Sequence, residues 1–140
     1  MQEAESLGMI LDEYPLVGDK ATKDTVLEKL KEGVAIIHIA AHASSDNGEI
    51  ALAPNPSASR PGPPDEEDYL LTMKDIQETG IKAKLVVLSC CHSGSGKFKA
   101  EGVVGVSRAF LAAGARAVVA SLWAIEERVT LSFMLTFYTH

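Results

Sequence analysis

Basic residues are scarce in this sequence: 13 lysines and arginines stand against 19 aspartates and glutamates in 140 residues, giving a net charge of −6 and a pI near 5.2. That balance is the wrong sign for a phosphate-backbone binder, so nucleic acid is not expected as a partner. Long apolar runs are missing too. The longest candidate, 109–125, is broken by Gly114 and Arg116 and falls short of the roughly 18–20 residues that span a bilayer, so no membrane partner is expected. The opening segment, MQEAESLGMILDEY, carries acids from its third residue and lacks the basic and then apolar regions of a secretory signal. A cytoplasmic location follows as the expectation. Cysteine is limited to two neighbours, Cys90 and Cys91. Their Cα atoms are about 3.8 Å apart where a disulfide prefers about 5.5 Å, which argues against a structural staple and suits a reducing compartment.

What is present is enough apolar material, 46% of the chain, for one core, and residues 1–140 are read as one domain. Helical patterns run from Glu3 to Glu13 and from Thr22 to Glu32, the second opened by Thr22 or Asp24 and closed by Gly33. The segment from Val34 to Ala41 is almost wholly apolar and partly β-branched, and the segments 85–89 and 117–121 repeat its character. Three such strands, separated by connections long enough for helices, predict an α/β fold with a mainly parallel sheet covered on both faces. Asp46, Asn47 and Gly48 predict a turn into a short strand over 49–53, hence a hairpin appended to the sheet. Five of the six prolines and the acids from Asp65 to Asp68 fall in 54–68, which reads as a flexible surface loop. A short helix over 72–79, capped by Thr72 and stopped by Gly80, follows.

The segment 102–114 predicts a helix despite two internal glycines, each costing about 0.5–1 kcal/mol against alanine. Gly102, Gly105, Ala109 and Ala112 form a smooth stripe that would let the helix approach the sheet closely. Free backbone donors for an anion are the other reading, but the dinucleotide pattern G-x-G-x-x-G directly after a strand is lacking. A last helix, 127–138, carries Val129, Phe133 and Phe137 on one face and Leu131 and Leu135 on another. A helix apolar on two sides needs neighbours, so the chain is expected to be part of a larger domain.

The chemistry concentrates at the strand ends. His42 follows the first buried strand and Cys91 the second, 49 positions later, and open α/β sheets bind ligands outside the carboxyl ends of their strands. Singly, each is an ordinary core residue. Together they make a nucleophile and a base: a free thiol is only a few per cent thiolate at neutral pH, and an adjacent imidazole takes its proton or stabilises the thiolate. The small polar loop after Cys91, through Lys97, is the kind on which sites are built. His38, inside the strand, reads as structural, and His92 would point away from Cys91 on an extended backbone. Cys90, Cys91 and His92 in succession cannot converge on a tetrahedral ion, so no metal is expected. The stretch 94–97 (GSGK) lacks the first glycine of a phosphate loop and is followed by Phe98 rather than a hydroxyl residue, so no nucleotide cofactor is expected either.

The segments HIAAH (38–42), VLSCCHSG (87–94), GVVGVSRAFLAAG (102–114) and ASLWAI (120–125), in this order and spacing, resemble the CHAT domain, a caspase-like family of clan CD cysteine peptidases often joined to tetratricopeptide repeats. The histidine-to-cysteine spacing of roughly 50 residues is also that of caspases. The resemblance implies a caspase-hemoglobinase-like three-layer sandwich and an endopeptidase acting through an acyl-enzyme on a protein or peptide substrate. It implies His42 as general base, Cys91 as nucleophile, the backbone N–H groups of Cys91 and Ala43 as oxyanion donors, and tetratricopeptide repeats in the parent chain. Ser89, Trp123 and Glu127 would contact substrate, with Glu126 or Glu127 facing a basic side chain before the cleaved bond. Ala43 stands where the family usually has glycine, and a position needing positive φ would strain it. The alternative is an inactive CHAT-type scaffold or protein-interaction module.

Overall fold

The computed structural model describes residues 2–44, 47–56, 61–91, 100–122 and 125–140, with 90 and 91 described by their backbone. Helices α1 (Gln2–Leu11) and α2 (Lys23–Lys31) precede β1 (Ile36–Ala43). Then come β2 (Ile50–Ala51), α3 (Glu66–Tyr69), β3 (Leu70–Leu71), α4 (Met73–Thr79), β4 (Leu85–Cys91), α5 (Ala100–Ala113), β5 (Val118–Ala120) and α6 (Glu127–Thr139). The five strands form one sheet in the order β3-β2-β1-β4-β5. Its three apolar strands are parallel, β1 to β4 and β4 to β5, while β2 and β3 add antiparallel pairings at one side.

The expected α/β architecture is therefore present, and one detail of it changes. Strand β1 begins two residues later than the apolar run and continues through His42 to Ala43, because β4 continues alongside it to Cys91. His42 and Cys91 are thus the last paired positions of two adjacent strands rather than residues beyond their ends.

Alternation along the strands divides the side chains between two helical layers. One face sends Ile37, Ile39, Val86 and Leu88 against Leu30 of α2, Ile76 of α4 and Val106, Ala109 and Phe110 of α5, the main core. The other sends Val87, with Leu85 and Val119 beside it, against Leu7 of α1 and Met134, Leu135 and Tyr138 of α6. Helices on both faces of the sheet make three layers.

The predicted hairpin forms at Gly48, whose φ is +71°. The Ser44 N–H donates to the Glu49 carbonyl at 2.7 Å and the Gly48 N–H to the Ser44 carbonyl at 3.2 Å. The helical glycines fit against different partners from those expected. A Cβ at Gly102 would lie 2.8 Å from the Gly48 nitrogen, and one at Gly105 would lie 3.1 Å from the sulfur of Met73. The stripe therefore accommodates the hairpin turn and α4 rather than the sheet, with Ala109 buried and Ala112 exposed.

Helix α4 runs as the sequence predicts, with the Thr72 hydroxyl accepting the Asp75 N–H at 3.2 Å and the Asp75 carboxylate accepting the Thr72 N–H at 3.0 Å. Within 54–68 the acidic run is not wholly irregular: Glu66–Tyr69 makes one helical turn, with the Asp65 N–H donating to the Asp68 carboxylate at 3.3 Å. Leu70 and Leu71 then form the edge strand β3, too short to show in the sequence pattern. Lys23 ties these pieces together, 2.9 Å from the Asp75 carboxylate and donating to the Glu67 carbonyl at 3.0 Å.

Burial would raise the Asp75 pKa, but hydrogen bonds from Lys23 and Thr72 and the lysine charge outweigh it and hold the carboxyl below its ordinary value. A depressed carboxyl stabilises the fold above its unfolded pKa, and that stabilisation is lost as pH falls through the lower folded value. Asp75→Asn is therefore expected to lower Tm at neutral pH, with the gap to the wild type closing as pH drops below 3.8. Melting curves across that range check it.

Helix α6 is apolar on more than one side, as its sequence reads. The face turned to the sheet carries Thr130, Met134, Leu135 and Tyr138, while Val129, Phe133 and Phe137 stay exposed, Phe133 at 57%. Phe133 and Phe137 stack at 6.2 Å between ring centroids.

Candidate active site

The site begins with a register. In the parallel pairing of β1 with β4, Ala40 stands opposite Ser89, Ala41 opposite Cys90 and His42 opposite Cys91. Neighbouring strands lie about 4.8 Å apart, so the two chemistry-bearing positions are as close as adjacent strands allow. The chain leaves β1 toward β2 on one side and returns to β4 on the other, a reversal of direction beside which α/β sheets open a crevice. Cys90, by contrast, is paired with an alanine.

A cavity of about 630 Å³ opens on this edge, lined among others by Glu3, Ala40, His42, Ser89, Ile125 and Glu127. Ala40 leaves the space that a larger side chain would fill. His42 is exposed at its mouth. Below it lies a polar group assembled from four elements. Glu3 of α1 is 5% exposed; its Oε1 lies 3.0 Å from His38 Nε2 and its Oε2 accepts from the Ser89 hydroxyl at 3.0 Å. His38 Nδ1 lies 3.0 Å from the Tyr138 hydroxyl of α6, and the two rings meet edge to face at 5.6 Å.

A carboxylate accepts, so His38 donates to Glu3 through Nε2, while its Nδ1 shares a hydrogen bond with the Tyr138 hydroxyl. Burial and then the charge of Glu3 push the Tyr138 pKa up to about 12, which keeps the phenol a donor. Unpaired, such groups would each cost about 1–3 kcal/mol on burial. Joined, they fasten α1 and α6 to the sheet, with His38 four strand positions before His42 and Ser89 two before Cys91.

His38 is thus structural, as its place within the strand suggests. Ala43 ends β1 opposite Ile50, and Asp12 is the only non-glycine residue with positive φ among the described residues. Alanine therefore sits there without the strain that a left-handed backbone would impose. Ser89 is buried against Glu3, and Glu127 opens α6 at the rim of the cavity. Trp123, His92 and the loop 92–97 lie outside the described residues. Sequence reasoning missed Glu3 and Tyr138. The available signal was an acid four residues before Leu7, on the buried face of α1, facing a strand with an internal histidine.

Comparison with known proteins agrees with this architecture. The family model of the CHAT domain matches residues 1–140. Tetratricopeptide repeat protein 28 of Homo sapiens is 31% identical over 168 residues and that of Mus musculus 29% over 167. Each alignment covers 99% of this chain, which spans only 7% of the relative's length. No solved structure matches the chain.

Proposed function

Because this chain belongs to the CHAT domain family, we propose that it is a caspase-like cysteine endopeptidase domain working through His42 and Cys91. The observation that carries the reading is their pairing as register partners at the carboxyl ends of the two central strands, beside an open cavity. His42 takes the thiol proton of Cys91, and the thiolate attacks the carbonyl carbon of the scissile peptide. The oxyanion is taken up by the backbone N–H groups of Cys91 and Ala43; losing one such donor typically costs about 2.7–4 kcal/mol in the barrier. His42 then gives its proton to the leaving amine as the C–N bond breaks. Water, deprotonated by His42, cleaves the thioester and frees the carboxylic acid and the thiol. Relatives named as tetratricopeptide repeat proteins support a parent chain in which such repeats accompany this domain; the adjacent Cys90 and Cys91 suit a reducing compartment such as the cytoplasm.

A thiol-reactive peptide probe tests the reading. Labelling is expected in the wild type and in Cys90→Ala, and is expected to disappear in Cys91→Ala and fall sharply in His42→Ala. Equal, slow labelling of both cysteines, indifferent to His42, would instead identify the domain as a scaffold.

A further inference from the structure

Most of β1 lacks a strand on one side. Strand β4 accompanies it over residues 36–42, but β2 pairs only with His42 and Ala43, so residues 36–41 have no strand beside them there among the described residues. Two sets of bonds fix where their backbone groups point. The Ser44 N–H donates to the Glu49 carbonyl, and residues two apart in a strand face the same way, so the even positions turn toward β2. The Ala35 carbonyl accepts from Lys84 and Leu85 at the start of β4, so the odd positions turn toward β4. The backbone N–H and C=O groups of Ile36, His38 and Ala40 therefore point to the open side, where no backbone hydrogen bond meets them among the described residues.

Beside them lies a cavity of about 260 Å³ that touches every residue from 36 to 41. Successive residues of a strand show opposite faces, so such a cavity lies against the edge of the strand, in the plane of the sheet. Its walls agree, with Ala4 of α1 from one helical layer, Val26 and Leu30 of α2 from the other, and Leu16 and Leu52 beside them. An exposed strand edge is normally kept short or blunted by a lysine, a proline or a bulge. Strands β3 and β5 have two and three residues, whereas the open stretch of β1 reads IIHIAA.

We propose that this slot takes a further strand, supplied by the parent chain from outside residues 1–140, which enters between the two helical layers and pairs with the backbone of Ile36, His38 and Ala40. Six residues suffice, about 20 Å of extended chain. The segment is apolar at consecutive positions, because helices cover both faces of the sheet. It is also uncharged, since the one lysine at the slot, Lys29, already lies 3.1 Å from Glu32. A second copy cannot supply the strand with its own β1: in both copies that edge is recessed between α1 and α2, with β2 and β3 standing beside it. A parent chain can. This chain spans only 7% of the length of its relatives, and a tethered segment pairs at a high effective concentration. Filling the slot fixes the strand that ends in His42, but the proposal does not depend on the chemistry of Cys91.

Amide hydrogen exchange in the full-length parent protein tests the proposal. The amides of Ile36, His38 and Ala40 are expected to exchange as slowly there as those of Ile37, Ile39 and Ala41. In the 140-residue chain alone the first three should exchange at least about tenfold faster, while β4 keeps the other three protected. Fast exchange of the first three in the parent protein means an empty slot, and slow exchange in the 140-residue chain means a slot filled from within; either overturns the proposal. Photo-crosslinking from Ile36→p-benzoylphenylalanine in the parent protein identifies the source. An adduct with an apolar segment outside residues 1–140 of the same molecule supports the proposal. Adducts only between two copies, only within residues 1–140 or only with another protein overturn it, as does the absence of any adduct. Should the 140-residue chain not fold alone, exchange in the parent protein and the adduct decide. Selective labelling of Cys91 bears on neither measurement, so the catalytic reading and the strand slot fail separately.

Discussion

Replacing His42 by glutamine is expected to lower kcat/KM for peptide hydrolysis by about 10²–10⁴-fold, the range a positioned general base contributes, while the fold survives. The geometry separates these two effects. His42 is exposed at the last position of β1 paired with β4, so truncating its function removes little packing. Its neighbour in kind, His38, is bonded on both ring nitrogens beneath the sheet surface, and the loss of His42 leaves that network untouched. Cys91→Ala should abolish the thiol-dependent rate altogether, since no other group stands opposite His42 on β4, and Cys90→Ala should leave it unchanged. Ala43→Gly is expected not to lower the rate, because the extended backbone there already suits alanine. Steady-state kinetics on a reporter peptide, with circular dichroism to confirm folding, decides the matter. A His42→Gln variant with wild-type kcat/KM would remove the imidazole from the mechanism.

A large stability effect of a single small substitution is expected at Gly48. Its φ of +71° costs an alanine about 1–2 kcal/mol, and the added methyl would overlap the Gly102 carbonyl of α5, an overpacking worth about 1–3 kcal/mol more. The neighbour is helix backbone, which cannot rotate aside as a side chain does. A loss of about 2–5 kcal/mol is a large share of the roughly 5–15 kcal/mol that holds a domain together. Gly80 provides the control, having φ +70° but nothing within 4 Å of the added atom, so Gly80→Ala should show the backbone cost alone. Urea unfolding of both variants measures the difference. Equal losses would mean that the hairpin turn and α5 are not in rigid contact. Because the same turn follows β1, Gly48→Ala should also weaken any activity that depends on His42.

The sequence by itself determined the three buried strands and the helices α1, α2, α4, α5 and α6, where Thr72 and Gly80 bound α4, and that His42 and Cys91 fall at corresponding ends of two buried strands. These are local matters: apolar runs, β-branched content and cap chemistry are written within a few residues of where they act. The register is not local. That His42 pairs with Cys91, and Cys90 with Ala41, depends on how seven consecutive positions of β1 and β4 align, and a shift of one residue would exchange the two cysteines. Edge strand β3 has only two residues and no pattern of its own; it exists because β2 offers a free edge. The buried face of α6 was decided by the sheet, which takes Thr130, Met134, Leu135 and Tyr138 and leaves the more apolar stripe outside. Likewise Glu3 becomes the floor of a cavity only when α1, α6 and two strands meet around it, since its carboxylate acquires partners from residues 35 and 86 positions away, the first of them held in turn by Tyr138 of α6.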